Sequence, residues 1–148
     1  MEKEPFRVAP MSKFESTIKQ IPHPQQAVYR CISDLSNLER VKDRVPADKI
    51  KDFSFDSDTV SLNVDPVGAV TFKIVNREEP KCVKFEGAGT PLPIHLWIQV
   101  LPVSDTTSKM KLTVEADIPI FVRPMVEKPL KEGIERIADV LAMVDYGE

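Results

Sequence analysis

The chain has 148 residues, 42% of them hydrophobic and 29% charged, with 20 basic against 23 acidic side chains. This length suits a single domain with a substantial core, and the composition is too apolar for a disordered chain. The charges show no basic stripe of the kind found in nucleic-acid-binding proteins, and no segment reaches the ~18 apolar residues of a membrane span. We therefore expect a globular protein with no nucleic-acid partner and no stable membrane insertion.

The N-terminus and the cysteines indicate where the protein works. Segment 1–10 mixes charges with proline and lacks the apolar core of a signal peptide. We predict a mobile tail over 1–10, a domain over 11–148, and Met11 as an alternative start. Cys31 and Cys82 form neither a metal-binding spacing nor a disulfide framework. These features predict a cytoplasmic location.

One strand and two short helices are predicted first. Residues 13–21 alternate between two faces, with Phe14, Ser16 and Ile18 on one side, which is typical of a strand. Pro24, after the strand, suits the first turn of a helix, because its missing N–H is no loss there. The apolar residues of that helix recur at helical spacing: Val28, Cys31, Ile32 and Leu35. A second short helix follows, with Ser36 or Asn37 as its cap.

From residue 50 onward the sequence predicts about six strands joined by tight turns. Apolar and polar residues alternate in each, as expected when one face of a sheet is buried. Short turns favour antiparallel pairing, because parallel strands need crossovers of about a dozen residues or more. The inward set is Phe53, Phe55, Val60, Leu62, Val64, Val70, Phe72, Ile74, Val83, Phe85, Ile94, Leu96, Ile98, Val100, Met110, Leu112 and Val114.

A long helix over about 123–144 ends the chain. Its apolar stripe at 3.6 residues per turn comprises Val122, Val126, Leu130, Gly133, Ile137, Val140, Leu141 and Val144. Pro129 predicts either a kink or a helix that begins there. A sheet with one apolar face needs a cover, and this stripe is the only long apolar surface available. We therefore predict an α+β fold in which a curved antiparallel sheet of about seven strands wraps around the last helix.

The element order, the strand–proline–helix opening, the segment Ser33-Asp34-Leu35-Ser36-Asn37 and the proline-containing last helix resemble the START-like, or Bet v 1-like, superfamily. This group of helix-grip folds includes polyketide cyclase-like and lipid-transfer proteins, and the chain is similar to its small bacterial SRPBCC members. The resemblance covers about 11–144. It implies a cavity between the sheet and the last helix that holds a small hydrophobic molecule.

The inward face and the last helix supply the predicted ligand-binding residues: Phe53, Phe55, Leu62, Val70, Phe72, Phe85, Leu96, Ile98, Leu112, Val126, Leu130, Gly133, Ile134 and Ile137. None is titratable, whereas acid–base catalysis needs such a group within hydrogen-bond reach. We therefore predict no catalytic residue and no cofactor. The two histidines, His23 and His95, lie on different predicted elements, so no metal site is expected. The predicted function is non-catalytic binding or transport of a lipid, isoprenoid or polyketide-like molecule.

Two alternatives stay open. The first is an enzyme of the cyclase or dehydrase type. It would require a strand register shifted by one residue, which would turn inward Asp52, Thr71, Lys73, His95 and Gln99. The second is an interaction module with a solid core, in which an exposed apolar patch around Trp97 binds a partner or forms a homodimer.

Gly133 is the residue that distinguishes between two predictions, an open cavity and a filled core. Glycine in mid-helix costs about 1 kcal/mol relative to alanine, so its place in the apolar stripe needs a reason. Either a strand backbone packs closely against it, or the missing side chain leaves volume for a ligand. In the second case we expect Gly133→Leu to leave folding intact and to block ligand uptake.

Overall fold

A computed structural model describes residues 12–40, 50–64, 68–88, 93–144 and 146; side chains at 38, 40, 50–53, 64 and 68 are not described. The predicted tail over 1–10 and the alternative start at Met11 lie outside these residues. The elements in chain order are β1 (Ser12–Glu15), β2 (Lys19–Ile21), α1 (Gln25–Ile32), a 3-10 helix (Leu35–Arg40), β3 (Ile50–Phe55), β4 (Thr59–Val64), β5 (Gly68–Glu78), β6 (Cys82–Gly87), β7 (Ile94–Pro102), β8 (Ser108–Ala116) and α2 (Arg123–Ala142).

The strands form one curved antiparallel sheet in the order β1-β8-β7-β6-β5-β4-β3, and β2 pairs with β8 beyond β1. Hairpin connections between successive strands account for this order, as the short turns predict. The backbone of α2 approaches β8, β1 and β2. The predicted α+β helix-grip architecture is confirmed.

The first predicted strand is wrong as a single element: it is divided into β1 and β2, so the described residues form eight strands. The Ser16 N–H still donates to the Leu112 carbonyl (2.9 Å), but the Ser16 hydroxyl replaces a main-chain acceptor for the Leu112 N–H (3.0 Å). Between Glu15 and Lys19 the segment has one residue more than the part of β8 opposite it. This extra residue is the geometry of a β-bulge. The bulge exchanges the inward-facing and outward-facing positions that follow it, so Ile18 is 55% exposed while Phe14 and Ile21 are buried.

The two short helices follow as predicted, with one correction to the caps. Pro24 has extended backbone geometry and is the N-cap of α1. The second helix is a 3-10 helix, and its cap is Asp34 rather than Ser36 or Asn37. The Asp34 carboxylate accepts hydrogen bonds from the Ser36 N–H (3.1 Å) and the Ser36 hydroxyl (2.6 Å), which lower the pKa of Asp34. An aspartate at this position satisfies the free donors at the helix start.

The last helix begins at Arg123 and continues through Pro129 to Ala142, so it does not begin at the proline. Its buried line is Ile134, Ala138 and Leu141, whereas Gly133 and Ile137 are half-buried. The predicted stripe is therefore rotated relative to the buried one. Polar contacts between β2 and one flank of α2, described below, fix this rotation.

Candidate ligand-binding site

The inward face of the sheet is predominantly apolar; the serines Ser12 and Ser108, opposite the buried Ala116 and Ile21, also lie on it. Its buried apolar members include Val60, Val70, Phe72, Ile74, Val83, Phe85, Ile98, Val100, Met110, Leu112 and Val114. Pairing of neighbouring strands sets this alternation, for example Val83 opposite Ile98 and Leu96 opposite Val114. The predicted register is correct at these positions.

The register keeps the polar residues of the same strands on the outer face. The Thr71 hydroxyl is hydrogen-bonded to that of Ser61 (2.9 Å), Lys73 and Gln99 are exposed, and His95 lies beside Glu86. The side chain of Asp52 lies outside the described residues. At the other positions, the inward turn that the cyclase alternative requires does not occur.

On β4 and β7, burial of the inward-facing residues decreases away from α1. On β7, Val100 is 0% and Ile98 5% exposed, whereas Leu96 and Ile94 are only half-buried. The α1 helix closes the first end, where the Gln25 side chain donates to the Val100 carbonyl (2.9 Å). Leu62, at the far end of β4, is also half-buried. The inward residues of β4 and β7 are therefore less covered at the end away from α1, whereas Val70, Val114 and Ala116 near that end are buried.

The flank of α2 shows the same partial burial. Val126, Leu130 and Ile137 are half-buried and pack against the core. The helix backbone lies close to β8, β1 and β2, and within the described ranges it makes no comparable approach to β3–β7. Because the helix lies over one edge of the sheet, this flank has no strand backbone closely facing it.

Gly133 lies on this flank. A methyl group added there would meet no atom within 4 Å, apart from adjacent residues and the backbone of the helix itself. The close-packing explanation for Gly133 is therefore wrong. Open space adjoins this half-buried glycine.

The predicted ligand-binding residues fall into two groups. Those that form the solid part of the core are Val70, Phe72, Phe85, Ile98, Leu112 and Ile134. Those that are half-buried are Phe55, Leu62, Leu96, Val126, Leu130, Gly133 and Ile137. The side chain of Phe53 lies outside the described residues; its strand changes register between Lys51 and Ser54. Contact with a ligand remains a prediction for all of them, and the half-buried group is the one with free surface.

Tyr29, which is absent from the predicted core, places a phenol in the core from α1. The residue is 4% exposed, and burial raises the pKa of its hydroxyl, with a further contribution from Glu79. The nearby charges of Glu79 and Arg77 indicate that the hydroxyl lies at the closed end of the site. The sequence held one signal for this burial: Tyr29 precedes the predicted core residue Ile32 by three positions, so the two lie on the same side of a helix.

A polar cluster fixes α2 to the bulge between β1 and β2. The Glu135 carboxylate accepts hydrogen bonds from the Thr17 N–H (3.0 Å) and the Thr17 hydroxyl (2.6 Å), and it also binds the Lys19 ammonium. Lys19 reaches Asp139 as well (2.7 Å). Hydrogen bonds from Lys19 and then Thr17 lower the pKa of Glu135 to about 2, and those to Asp139 and Glu135 raise the pKa of Lys19. These contacts hold the wall of the site in one rotation.

Trp97 is not the centre of an exposed apolar patch. The Lys84 ammonium lies 5.3 Å from the centre of its ring, the His95 ring lies 5.9 Å away, and Trp97 itself is half-buried. The His95 Nδ1 lies 3.7 Å from a carboxylate oxygen of Glu86, which is beyond hydrogen-bond distance.

In the part of the chain that the structure describes, no three or more His, Cys, Asp or Glu side chains are grouped so as to hold a metal ion. Neither described helix combines the length and the apolar character that crossing a bilayer would require.

Comparison with known proteins gives one family and many structural likenesses. The family model described as polyketide cyclase / dehydrase and lipid transport matches residues 11–143. No curated protein matches the chain. A norcoclaurine synthase point mutant from Thalictrum flavum, in complex with a transition-state analogue, is 13% identical with a TM-score of 0.70, and the match covers 92% of this chain and 95% of that one.

Two more solved structures are similar over most of their length. A START superfamily protein from Mycobacterium smegmatis is 12% identical with a TM-score of 0.62, over 90% of this chain and 95% of that one. The Zhui aromatase/cyclase from Streptomyces sp. R1128 is 11% identical with a TM-score of 0.65, over 89% and 92%. Likeness at such identities shows the fold alone, and the fold supports several different functions.

Proposed function

This chain belongs to the polyketide cyclase / dehydrase and lipid transport family, and we propose that it binds or transports a small hydrophobic molecule without changing it chemically. The ligand would be a lipid, an isoprenoid or a polyketide-like compound. It would lie between the less covered end of the sheet, around Leu62, Ile94 and Leu96, and the flank of α2 that includes Gly133.

The observation that supports this proposal is the partial burial of large apolar side chains on a face that is otherwise closed. Leu62, Leu96 and Leu130 belong to the core by position and keep accessible surface. Completing the burial of such side chains is favourable by roughly 25 cal/mol for each Å² removed from water. A hydrophobic ligand seated there would provide that burial, and the space beside Gly133 would admit part of it.

The buried polar groups support binding over catalysis. The Ser16 hydroxyl is engaged with Leu112 and Thr17, and the Ser108 hydroxyl donates to the His23 carbonyl (2.9 Å). Thr113, the other buried polar residue among those described, is opposite Trp97 in the sheet and so belongs to its outer face. Ser108 lies on the inward face beside Met110, but serine and threonine hydroxyls are not acids or bases near neutral pH, and the Tyr29 phenol lies at the closed end of the site. A cyclase would need an acid or a base beside its ligand.

The proposal is tested by titrating the protein with 8-anilino-1-naphthalenesulfonate, a fluorescent probe of accessible apolar surface. We expect the wild-type protein to bind the probe and Gly133→Leu to bind it at least tenfold more weakly, because the isobutyl group occupies the space beside α2. Glu132→Leu is the matched control, since it adds the same side chain to an exposed position of the same helix.

Two results would contradict the proposal. Equal probe binding by wild type, Gly133→Leu and Glu132→Leu would show that the space beside Gly133 takes no part. Loss of the helical circular dichroism signal in Gly133→Leu, with Glu132→Leu folded, would mean that this position cannot accept a large side chain. Gly133→Ala provides an intermediate step, and we expect it to keep probe binding.

A further inference from the structure

Two buried polar atoms at the end of the site away from α1 have no hydrogen-bond partner. They are the Ser12 Oγ on β1 and the Arg123 Nε at the start of α2, and neither is paired with any group in the described portions of the chain. Buried polar groups in proteins are nearly always hydrogen-bonded, so each of these exceptions needs an explanation. A ligand group that binds both atoms would provide one.

Ser12 lies on the inward face of the sheet. It precedes the buried Phe14 by two residues on β1, and it is opposite the buried Ala116 of β8. Ala116 in turn pairs with the half-buried Ile94 of β7. The Ser12 hydroxyl therefore lies on the side of the sheet that α2 covers, near the less covered end of β7.

Arg123 lies on the side of α2 that turns toward the sheet. It precedes the half-buried Leu130 by seven residues and the buried Ile134 by eleven, and both spacings are close to whole turns at about 3.6 residues per turn. The Arg123 side chain as a whole is half-buried, and its Nε is buried. The guanidinium is therefore directed inward from the helix.

The two atoms lie at the same end of the contact between helix and sheet. Along the polar cluster at the bulge, α2 and the segment from β1 to β2 run in the same direction. Arg123 lies 12 residues before Glu135 of that cluster, or about 18 Å along the helix. Ser12 lies 5 residues before Thr17, which Glu135 contacts, or about 16 Å along the strand. The start of α2 is therefore level with Ser12.

The Arg123 guanidinium has no anionic partner among the described residues. The nearest acidic residues on either side of it in the sequence, Asp117 and Glu127, are exposed, and neither forms an ion pair with it. The first turn of α2 contains no acidic residue, and the helix dipole adds positive charge there. A guanidinium has five N–H donors and no acceptor, so the group that would satisfy it is an anion.

A carboxylate suits these two groups. It accepts two parallel hydrogen bonds from a guanidinium, and it keeps lone pairs for a hydroxyl such as that of Ser12. A phosphate monoester carries a charge of about −1.5 to −2 at neutral pH, which is more than one guanidinium balances. Gly133 and the open space beside it lie 10 residues beyond Arg123, or about 15 Å along α2. This distance is comparable with the length of an extended decanoyl chain.

We propose that the ligand carries a carboxylate at one end, as a fatty acid does, and that Arg123 and Ser12 bind this head group while its apolar chain extends along α2 toward Gly133. This inference rests on the binding function proposed above and names the class of its ligand. In an apolar pocket a few placed polar groups fix orientation and specificity, and these two residues have that role here.

The test compares decanoate with decan-1-ol by isothermal titration calorimetry, because the two differ in the charge of the head group. We expect the wild type to bind decanoate at least roughly tenfold more tightly. Arg123→Met should weaken decanoate binding at least roughly tenfold and leave decan-1-ol within about twofold, and Ser12→Ala should weaken decanoate about fivefold. Arg136→Met is the matched control, since it removes the same charge from an exposed position of the same helix, and it should bind both compounds as the wild type does.

Thermal unfolding of the ligand-free protein provides a second readout. Because Arg123 has no partner to lose among the described residues, Arg123→Met should not lower the melting temperature, whereas the loss of an existing ion pair would. A marked fall, with Arg136→Met unchanged, would show that the guanidinium has a structural partner and would contradict its role in binding the ligand.

The outcomes separate this inference from the function on which it rests. Equal binding of the two compounds by the wild type, or equal weakening of both by Arg123→Met, would overturn the carboxylate assignment and leave the binding function standing. The assignment also fails if the wild type binds the fluorescent probe but neither compound. Failure to bind the probe and both compounds would contradict the binding function itself.

Discussion

Replacement of Glu135 by glutamine tests whether the polar cluster at the β1–β2 bulge holds α2 in place. A carboxyl group whose pKa falls from 4.5 to about 2 on folding gains about 3 kcal/mol of stability at neutral pH when water does not reach it. The Glu135 side chain is 35% exposed, so screening by water reduces this gain to about 1–1.5 kcal/mol. The glutamine keeps the shape of the side chain but removes the charge that binds Lys19.

We expect Glu135→Gln to lower the free energy of unfolding by about 1–1.5 kcal/mol at neutral pH, measured by urea denaturation with Trp97 fluorescence. For a domain of this size the melting temperature should fall by about 3–5 °C. Glu132→Gln, on the exposed face of the same helix, is the matched control and should leave stability nearly unchanged.

The dependence on pH distinguishes this cluster from a general effect of the substitution. Because folding lowers the pKa of Glu135, its contribution is complete above the unfolded value of 4.5 and is lost as pH falls toward about 2. The stability difference between wild type and Glu135→Gln should therefore shrink over that range. A difference that stays constant with pH, or an equal loss in Glu132→Gln, would refute the assignment.

Two further stability predictions follow from buried or open positions. Gly133→Ala should raise the free energy of unfolding by about 0.5–1 kcal/mol in urea denaturation, because the methyl group meets no atom within 4 Å and alanine favours the helix; destabilisation would show that the position is crowded. Ser108→Ala should lower it by about 1–2 kcal/mol, because Ser108 is 0% exposed and its hydroxyl donates to the His23 carbonyl; a change within error would show that water replaces this bond.

The alternation of apolar residues was sufficient to predict most of the sheet. From Val60 to Val114 the inward positions follow a period of two, and the side chains described there are buried, or half-buried at Leu62, Ile94 and Leu96. Each strand is short and ends at a turn, so a register error cannot accumulate from one strand to the next. The order of elements then leaves α2 as the cover of the sheet.

The bulge after β1 was harder to predict because Phe14, Ser16 and Ile18 continue the alternation past the point where the strand breaks. One signal was present. Phe14 and Ile21 are both large and apolar and stand seven residues apart, and an odd spacing cannot place both on one face of an uninterrupted strand. Both are buried, so an extra residue had to enter the strand between them.

The polar cluster and the outward direction of Ile120, Phe121 and Met125 lie beyond what periodicity can reveal. Thr17 and Glu135 are separated by 118 residues, and their contact depends on the rotation of α2, which the apolar stripe alone misplaced. Ile120, Phe121 and Met125 are apolar, as core residues are, and only the position of the turn shows that they point outward. For the same reason the sequence alone predicted an exposed apolar patch around Trp97 instead of one around these residues.

Native mass spectrometry of the freshly purified full chain, followed by organic extraction, tests the central claim most directly. We predict that a small apolar molecule accompanies the wild type and Glu132→Leu and is absent from Gly133→Leu. Repeated preparations of wild type at the mass of the bare chain, with no uptake from an added lipid mixture, would contradict the binding function.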